Sequence, residues 1–267
     1  MPEGCIFCGG GPLTREDVIS TWFLVEFERR VRQTPLPPSV VGRHRRSRVE
    51  TEDSEPVVLG EWDAPKPEVV AKLVCGACNN GWMSEIDNAA KPILLLLIDG
   101  MKAGLTRAER RLLARWFGMK SVVHLASETA EPFPRHWAQE FYRERDLPIT
   151  WRVRIGVPAD RVGVLLGGAT FTYESRPPLS PFPIRLPGFT WSWAIGDLSA
   201  QVIGLRHFET LPMNRDLLVS VWPPEFSDRV PTEFIDSVPG EWPPNGRLTI
   251  QQIHRMGHNA LEPRPTG

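Results

Sequence analysis

The apolar positions fall into two regimes along the chain. Up to about residue 145 they recur at helical spacing. Leu13-Thr14-Arg15-Glu16 reads as the approach to a turn, and Val18 opens a patterned segment that can continue as a helix to Val31, where Pro35, Pro37 and Pro38 stop it. After Cys78, "NNGWMSEIDNAAKPILLLLIDG" begins with turn residues and becomes helical, with Pro92 and Gly100 as expected breaks. Leu105 to Ala126 is the clearest helix. Thr106 and Glu109 form a capping box, and Leu112, Leu113, Trp116, Phe117, Lys120 and Val123 share one face at spacings of three and four. A further helix is expected over Arg135 to Arg145.

From Ile149 the period shortens. "WRVRIGV", "VGVLLGG", "TFTYES", "FTWSWAIG", "AQVIGLRHF" and "LLVSVWP" are short, rich in β-branched and aromatic residues and punctuated by Gly and Pro, which predicts an antiparallel sheet. Thr249 can cap a closing helix over Leu248 to Leu261. The fold class is α+β, with two units expected: residues 1–92, and residues 93–267 with helices followed by a Trp/Pro-rich β region.

Composition adds two features, 27 prolines and ten tryptophans beside only two tyrosines. The prolines gather late, at Arg176-Pro177-Pro178, Trp222-Pro223-Pro224 and Trp242-Pro243-Pro244, in keeping with short strands and rigid turns. Trp151, Trp191, Trp193, Trp222 and Trp242 are expected to pack the sheet and core. A formal charge of −1 points to no particular partner. The longest purely apolar run, Ile93 to Ile98, falls far short of the roughly 20 residues of a membrane span, and Met1 to Gly11 lacks the pattern of a secretory leader. The expectation is a soluble cytoplasmic protein; no membrane contact or small-molecule cofactor is implied, and the sequence leaves the oligomeric state open.

All four cysteines fall into two C-x-x-C pairs, Cys5/Cys8 and Cys75/Cys78. Each such turn aims two thiolates at one point, so two turns complete a closed tetrahedral zinc site of the structural kind. Two disulfides, a redox motif or unrelated thiols compete with this reading. The missing leader weakens the first, and a second pair is superfluous for redox chemistry. The pairs are far apart in sequence, so a shared metal joins distant segments. Between them, Arg43, His44, Arg45, Arg46 and Arg48 make a basic run, followed at 50–55 by four carboxylates. This is either a self-compensating solvated loop or a loop that contacts nucleic-acid phosphates.

"CIFCGG" with "LTREDVISTWF", and later "VCGACNNGWMSEID", resembles bacterial and phage HNH endonucleases with a Cys₄ zinc. The match covers about the first 90 residues; the later Trp-Pro-Pro stretches look more loosely like the C-terminal regions that accompany this module. The resemblance implies an N-terminal ββα-metal module that holds one divalent cation against a DNA phosphodiester. Carried over by position, Cys5, Cys8, Cys75 and Cys78 hold a structural Zn²⁺. Glu16 and Asn79 hold a catalytic Mg²⁺ or Mn²⁺, and Asn80 is a second candidate beside Asn79. A hard cation suits carboxylate and amide oxygens, can polarise the phosphate and can neutralise the leaving alkoxide.

Asp17 departs from the pattern, because the family has its general-base histidine there. Imidazole titrates near neutral pH, whereas an ordinary aspartate is a much weaker base. Ser20 stands where the family commonly has proline, and no histidine follows Asn80 in the helix. Asp17 can act as base or orient a metal-bound water; His44 can supply an imidazole from elsewhere; or hydrolysis is lost while binding remains. Catalytic roles are therefore assigned to Glu16, Asp17, Asn79 and Asn80. The competing readings are a non-catalytic zinc-dependent module that binds nucleic acid or protein, and a chain whose C-terminal region carries the function.

Overall fold

The computed structural model describes residues 4–33, 43–48, 57–63, 70–101, 103–128, 133–159, 162–175, 184–206, 218–222, 241–242 and 247–248. The expected acidic run at 50–55, the proline runs and the closing helix beyond Leu248 lie outside these residues. Among the described residues no helix is long and apolar enough to cross a membrane.

Leu13–Asp17 forms strand β1, where the sequence suggests only the approach to a turn. It pairs antiparallel with β4, Val70–Cys75, with Leu13 opposite Cys75 and a register shift between Thr14 and Glu16. Long-range pairing overrides the local signal here, since β4 lies more than 50 residues away. Helix α1 follows over Thr21–Gln33. The basic run is strand β2, Arg43–Arg48, rather than a loop. It pairs with β3, Val57–Asp63, placing Arg43 opposite Asp63 and Arg45 opposite Glu61. Opposite charges across an antiparallel ladder favour such a pairing.

Beyond β4 the chain makes a short turn, α2, over Gly76–Cys78, then a π-type segment over Asn79–Met83, and then helix α3 over Ser84–Ile98. Gly81 leaves helical geometry at φ −97° and ψ −117°, which redirects the chain between the second cysteine pair and α3. Pro92 does not break α3. A mid-helix proline costs about 3 kcal/mol, but the buried face of Ile86, Ala90, Leu94 and Leu97 keeps the helix packed against its neighbours. Gly100, at φ +67°, ends it as expected.

After the short strand β5, Ala103–Gly104, helix α4 runs over Arg107–Glu128 and touches α3, β4 and the large sheet. The capping box forms at its start. Thr106 N donates to Glu109 Oε2 at 2.8 Å, and Glu109 N donates to Thr106 Oγ1 at 3.2 Å. Helix α5 follows at Arg135–Glu144.

The expected antiparallel sheet is present. Strands β6 (Arg152–Pro158), β7 (Val162–Ser175), β8 (Ile184–Gly196), β9 (Leu198–Leu205) and β10 (Leu218–Trp222) run in the order β10-β6-β9-β8-β7. β11, Glu241–Trp242, pairs with β5, and β12, Arg247–Leu248, joins β6 in parallel.

Of the tryptophans expected in the sheet and core, Trp151, Trp191, Trp193 and Trp222 are buried, and the side chain of Trp242 lies outside the described residues. Trp193 lies 5.7 Å from both Trp116 and Phe117 of α4 and 5.0 Å from Phe23 of α1, measured between ring centroids, while Trp151 meets Phe189 at 4.8 Å. One cluster contains Phe7, Trp82, Leu94, Trp116 and Trp191, so buried residues on both sides of position 92 share a core. The expected unit boundary at 92/93 falls inside α3.

Candidate functional site

The first C-x-x-C pair sits on a tight knuckle. Gly9 N donates to Cys5 O at 2.9 Å, Cys5 N donates to Gly10 O at 2.7 Å, and Gly10 N points at Cys8 Sγ, 3.4 Å away. Gly4 is at φ +93°, and a Cβ there would lie 2.3 Å from Gly9 O, so the turn closes only around glycine. Ile6 N donates to Leu73 O at 2.8 Å, which ties this knuckle to β4, and the end of β4 carries Cys75 into the α2 turn.

All four cysteines are free thiols, and their sulfur atoms lie within 4.8 Å of one another; Cys8 and Cys75 are 3.5 Å apart. Four ligands about 2.3 Å from one zinc sit roughly 3.8 Å from each other, so the cage has the size to hold a metal ion such as zinc. Cys5, Cys75 and Cys78 are buried and Cys8 is exposed.

Thiol chemistry supports the fit. Burial raises the Cys78 thiol far above its usual value, opposed chiefly by the Trp82 indole N–H. Burial acts on Cys75 as well. There the Cys78 backbone N–H and the thiols of Cys8, Cys5 and Cys78 outweigh it and bring the group down to about 7. Four sulfurs this close cannot all carry charge unaided, and a bound divalent cation would supply the missing positive charge.

Immediately beside the cage is a cleft of about 220 Å³, lined by Arg15, Glu16, Asp17, Asn79, Asn80, Asp87 and Lys120 among others. The four residues assigned to catalysis from the sequence thus face one cavity. β1 supplies Glu16 and Asp17, the π-type segment supplies Asn79 and Asn80, and α3 supplies Asp87. The Asn79 amide donates to Arg15 O at 3.2 Å and to Thr14 Oγ1 at 3.4 Å, which fixes β1 to the turn after the cage.

Each acid in the cleft already has a partner. Glu16, 6% exposed, accepts from Lys120 Nζ at 3.1 Å, and the same ammonium donates to Asp17 O at 3.1 Å. Burial raises the Glu16 carboxyl above its ordinary value; Lys120 opposes this, while Asp87 and Asp17 add to it. Asp17 Oδ2 accepts from Thr21 Oγ1 at 2.7 Å. Asp87 takes three donors: Ser20 Oγ at 2.5 Å, Trp116 Nε1 at 2.7 Å and Trp22 Nε1 at 2.9 Å.

Sequence reasoning missed Asp87, Lys120 and the two tryptophan donors. One signal for Lys120 was legible: a lysine on the otherwise apolar face of α4, where burial demands a counter-ion. Asp87 had no such signal, because an acid near a helix start is commonplace. Ser20 stands out in the sequence as a replacement for proline, and its hydroxyl makes a bond to Asp87 that proline cannot. Among the described residues, the cleft lining holds no histidine. The backbone of His44 belongs to β2, paired opposite Trp62. Comparison of the chain with family models, with curated proteins and with solved structures found no match.

Proposed function

We propose that the chain is an HNH-type endonuclease scaffold, built on a Cys₄ zinc, that acts on DNA phosphodiesters with weakened hydrolysis. One observation carries this reading: β1 and the π-type segment that follows the second cysteine pair meet so that Glu16, Asp17, Asn79 and Asn80 line a single cleft. An antiparallel strand pair beside a helix supports the ββα-metal reading that the motif resemblance implies, although β1 and β4 are joined by a long insertion and not by a hairpin turn. The cage holds the two knuckles, and Asn79 holds β1 against the second. In this arrangement the zinc maintains the loops that carry the acids and takes no part in bond cleavage.

Weak hydrolysis follows from the side chains themselves. Asp17 replaces an imidazole and shares its carboxylate with Thr21, and loss of a general base costs about 10² to 10⁴-fold. Strand β2 carries the basic residues Arg43, His44, Arg45, Arg46 and Arg48, which we assign to phosphate contact.

Duplex binding, followed by fluorescence anisotropy across a salt series, tests the reading together with nicking of a supercoiled plasmid. Expected are salt-sensitive DNA binding and at most slow nicking, which Glu16→Ala abolishes. No binding at low salt would overturn it. The Glu16–Lys120 ion pair favours a second reading, a non-catalytic zinc-dependent binding module. DNA binding with nicking at background, unchanged by Glu16→Ala, selects that one.

A further inference from the structure

We infer that the ammonium of Lys120 is the resident cation of the cleft, and that it excludes the divalent metal that the HNH-type reading leads one to expect there. The inference rests on that reading only for where a metal would sit; the ion pair stands by itself. Lys120 Nζ lies 3.1 Å from Glu16 Oε1 and 3.1 Å from the carbonyl oxygen of Asp17, with Lys120 and Glu16 both more than nine-tenths buried. A metal ion bridging those two oxygens would occupy the space of the ammonium itself. An ion bound elsewhere on Glu16 would face a positive charge at close range, in surroundings that screen poorly.

Helix α4 fills the cleft's acids from one face. Trp116 and Lys120, four residues apart and so neighbours on the helix surface, reach Asp87 and Glu16 respectively. Asp87 already has three donors, and Asn79 is held against β1 through its amide N–H groups. Mg²⁺ prefers an octahedral shell of oxygens at about 2.0–2.1 Å, and Ca²⁺ needs six to eight oxygen ligands. Mg²⁺ ordinarily keeps several waters, so the occupied position between Glu16 and Asp17, more than the number of ligands, decides the fit. With the ammonium in that position the expected Mg²⁺ or Mn²⁺ does not fit the side chains as they stand, and Lys120 is a positioning residue that fixes Glu16 and the end of β1.

Mn²⁺ binding to the zinc-loaded full chain, read by electron paramagnetic resonance, decides the matter. Wild type is expected to bind no Mn²⁺ in the cleft at millimolar concentration, and Glu16→Gln is expected to leave its titration unchanged. Lys120→Met, which removes the ammonium at similar length, is expected to bind one Mn²⁺ at least about 100-fold more tightly than wild type, an effect lost in Lys120→Met/Glu16→Gln. Wild-type binding of one Mn²⁺ that Glu16→Gln abolishes would overturn the inference, whether or not Lys120→Met folds. A folded, zinc-loaded Lys120→Met that binds no Mn²⁺ would overturn it too. DNA binding is measured separately, so failure of the nuclease-scaffold reading shows in the anisotropy series and failure of this inference in the Mn²⁺ titration.

Discussion

The cysteine cage and the acidic cleft adjoin at Cys78 and Asn79, and both collect side chains that ligate metals, yet they solve the charge problem in opposite ways. In the cage four sulfurs converge, with backbone N–H groups such as Gly10 N beside them. In the cleft every carboxylate is met by a donor from the protein itself: Lys120 for Glu16, Thr21 for Asp17, and Ser20, Trp22 and Trp116 for Asp87. Ligand type and proximity are alike in the two regions. The difference lies in whether the fold has already supplied the positive charge and the hydrogen bonds.

Stripping metal from the cage should have the largest effect. Structural zinc sites contribute about 10–16 kcal/mol of apparent binding free energy, and the cysteine cage joins segments more than 60 residues apart. A strong chelator, or Cys75→Ser, is expected to unfold the knuckles, seen as loss of near-ultraviolet circular dichroism and a large fall in melting temperature. The same chelator should leave the Glu16–Lys120 pair intact in any chain that stays folded.

Breaking the cleft from within comes next. Lys120→Met leaves Glu16 buried without its partner and should cost about 3–5 kcal/mol in denaturant unfolding, whereas Lys120→Met/Glu16→Leu should recover most of that loss, because paired removal strands no charge. Asp87→Ala orphans three donors, two of them indole N–H groups, and should cost about 3 kcal/mol.

A smaller effect sharpens the contrast by pH. Burial raises the folded Glu16 carboxyl above its ordinary value near 4.5. Between that value and the raised one, the folded chain keeps a proton that the unfolded chain has lost. Stability therefore falls as pH rises through this window, and Glu16→Gln should flatten that part of the melting-temperature profile. Far from both regions, Thr106→Ala removes the capping box of α4 and should cost only about 1 kcal/mol, a reference for an ordinary local contact.

The parts of this molecule legible in its sequence are those governed by short-range rules. The helix of residues 107–128 was announced by Thr106, Glu109 and a regular apolar face, and the sheet by alternating β-branched and aromatic residues. The cysteine pairs announced the cage because a thiol pair at that spacing has few other uses. Strand β1 stayed hidden because its partner lies beyond a long insertion, and Pro92 misled because tertiary packing outweighs its local cost. In the cleft, motif spacing brings Glu16, Asp17, Asn79 and Asn80 together, and the structure places them in one lining. It does not reach the donors that meet the cleft's acids: Lys120 comes from 104 residues away and Trp116 from 29, distances that no local pattern spans.

Native mass spectrometry of the chain, purified with zinc and equilibrated with excess Mn²⁺, tests most directly whether the two regions differ as described. One zinc per chain with no manganese retained is the expected result. A folded chain without zinc, or one that holds manganese in addition to zinc and loses it on Glu16→Gln, would contradict it.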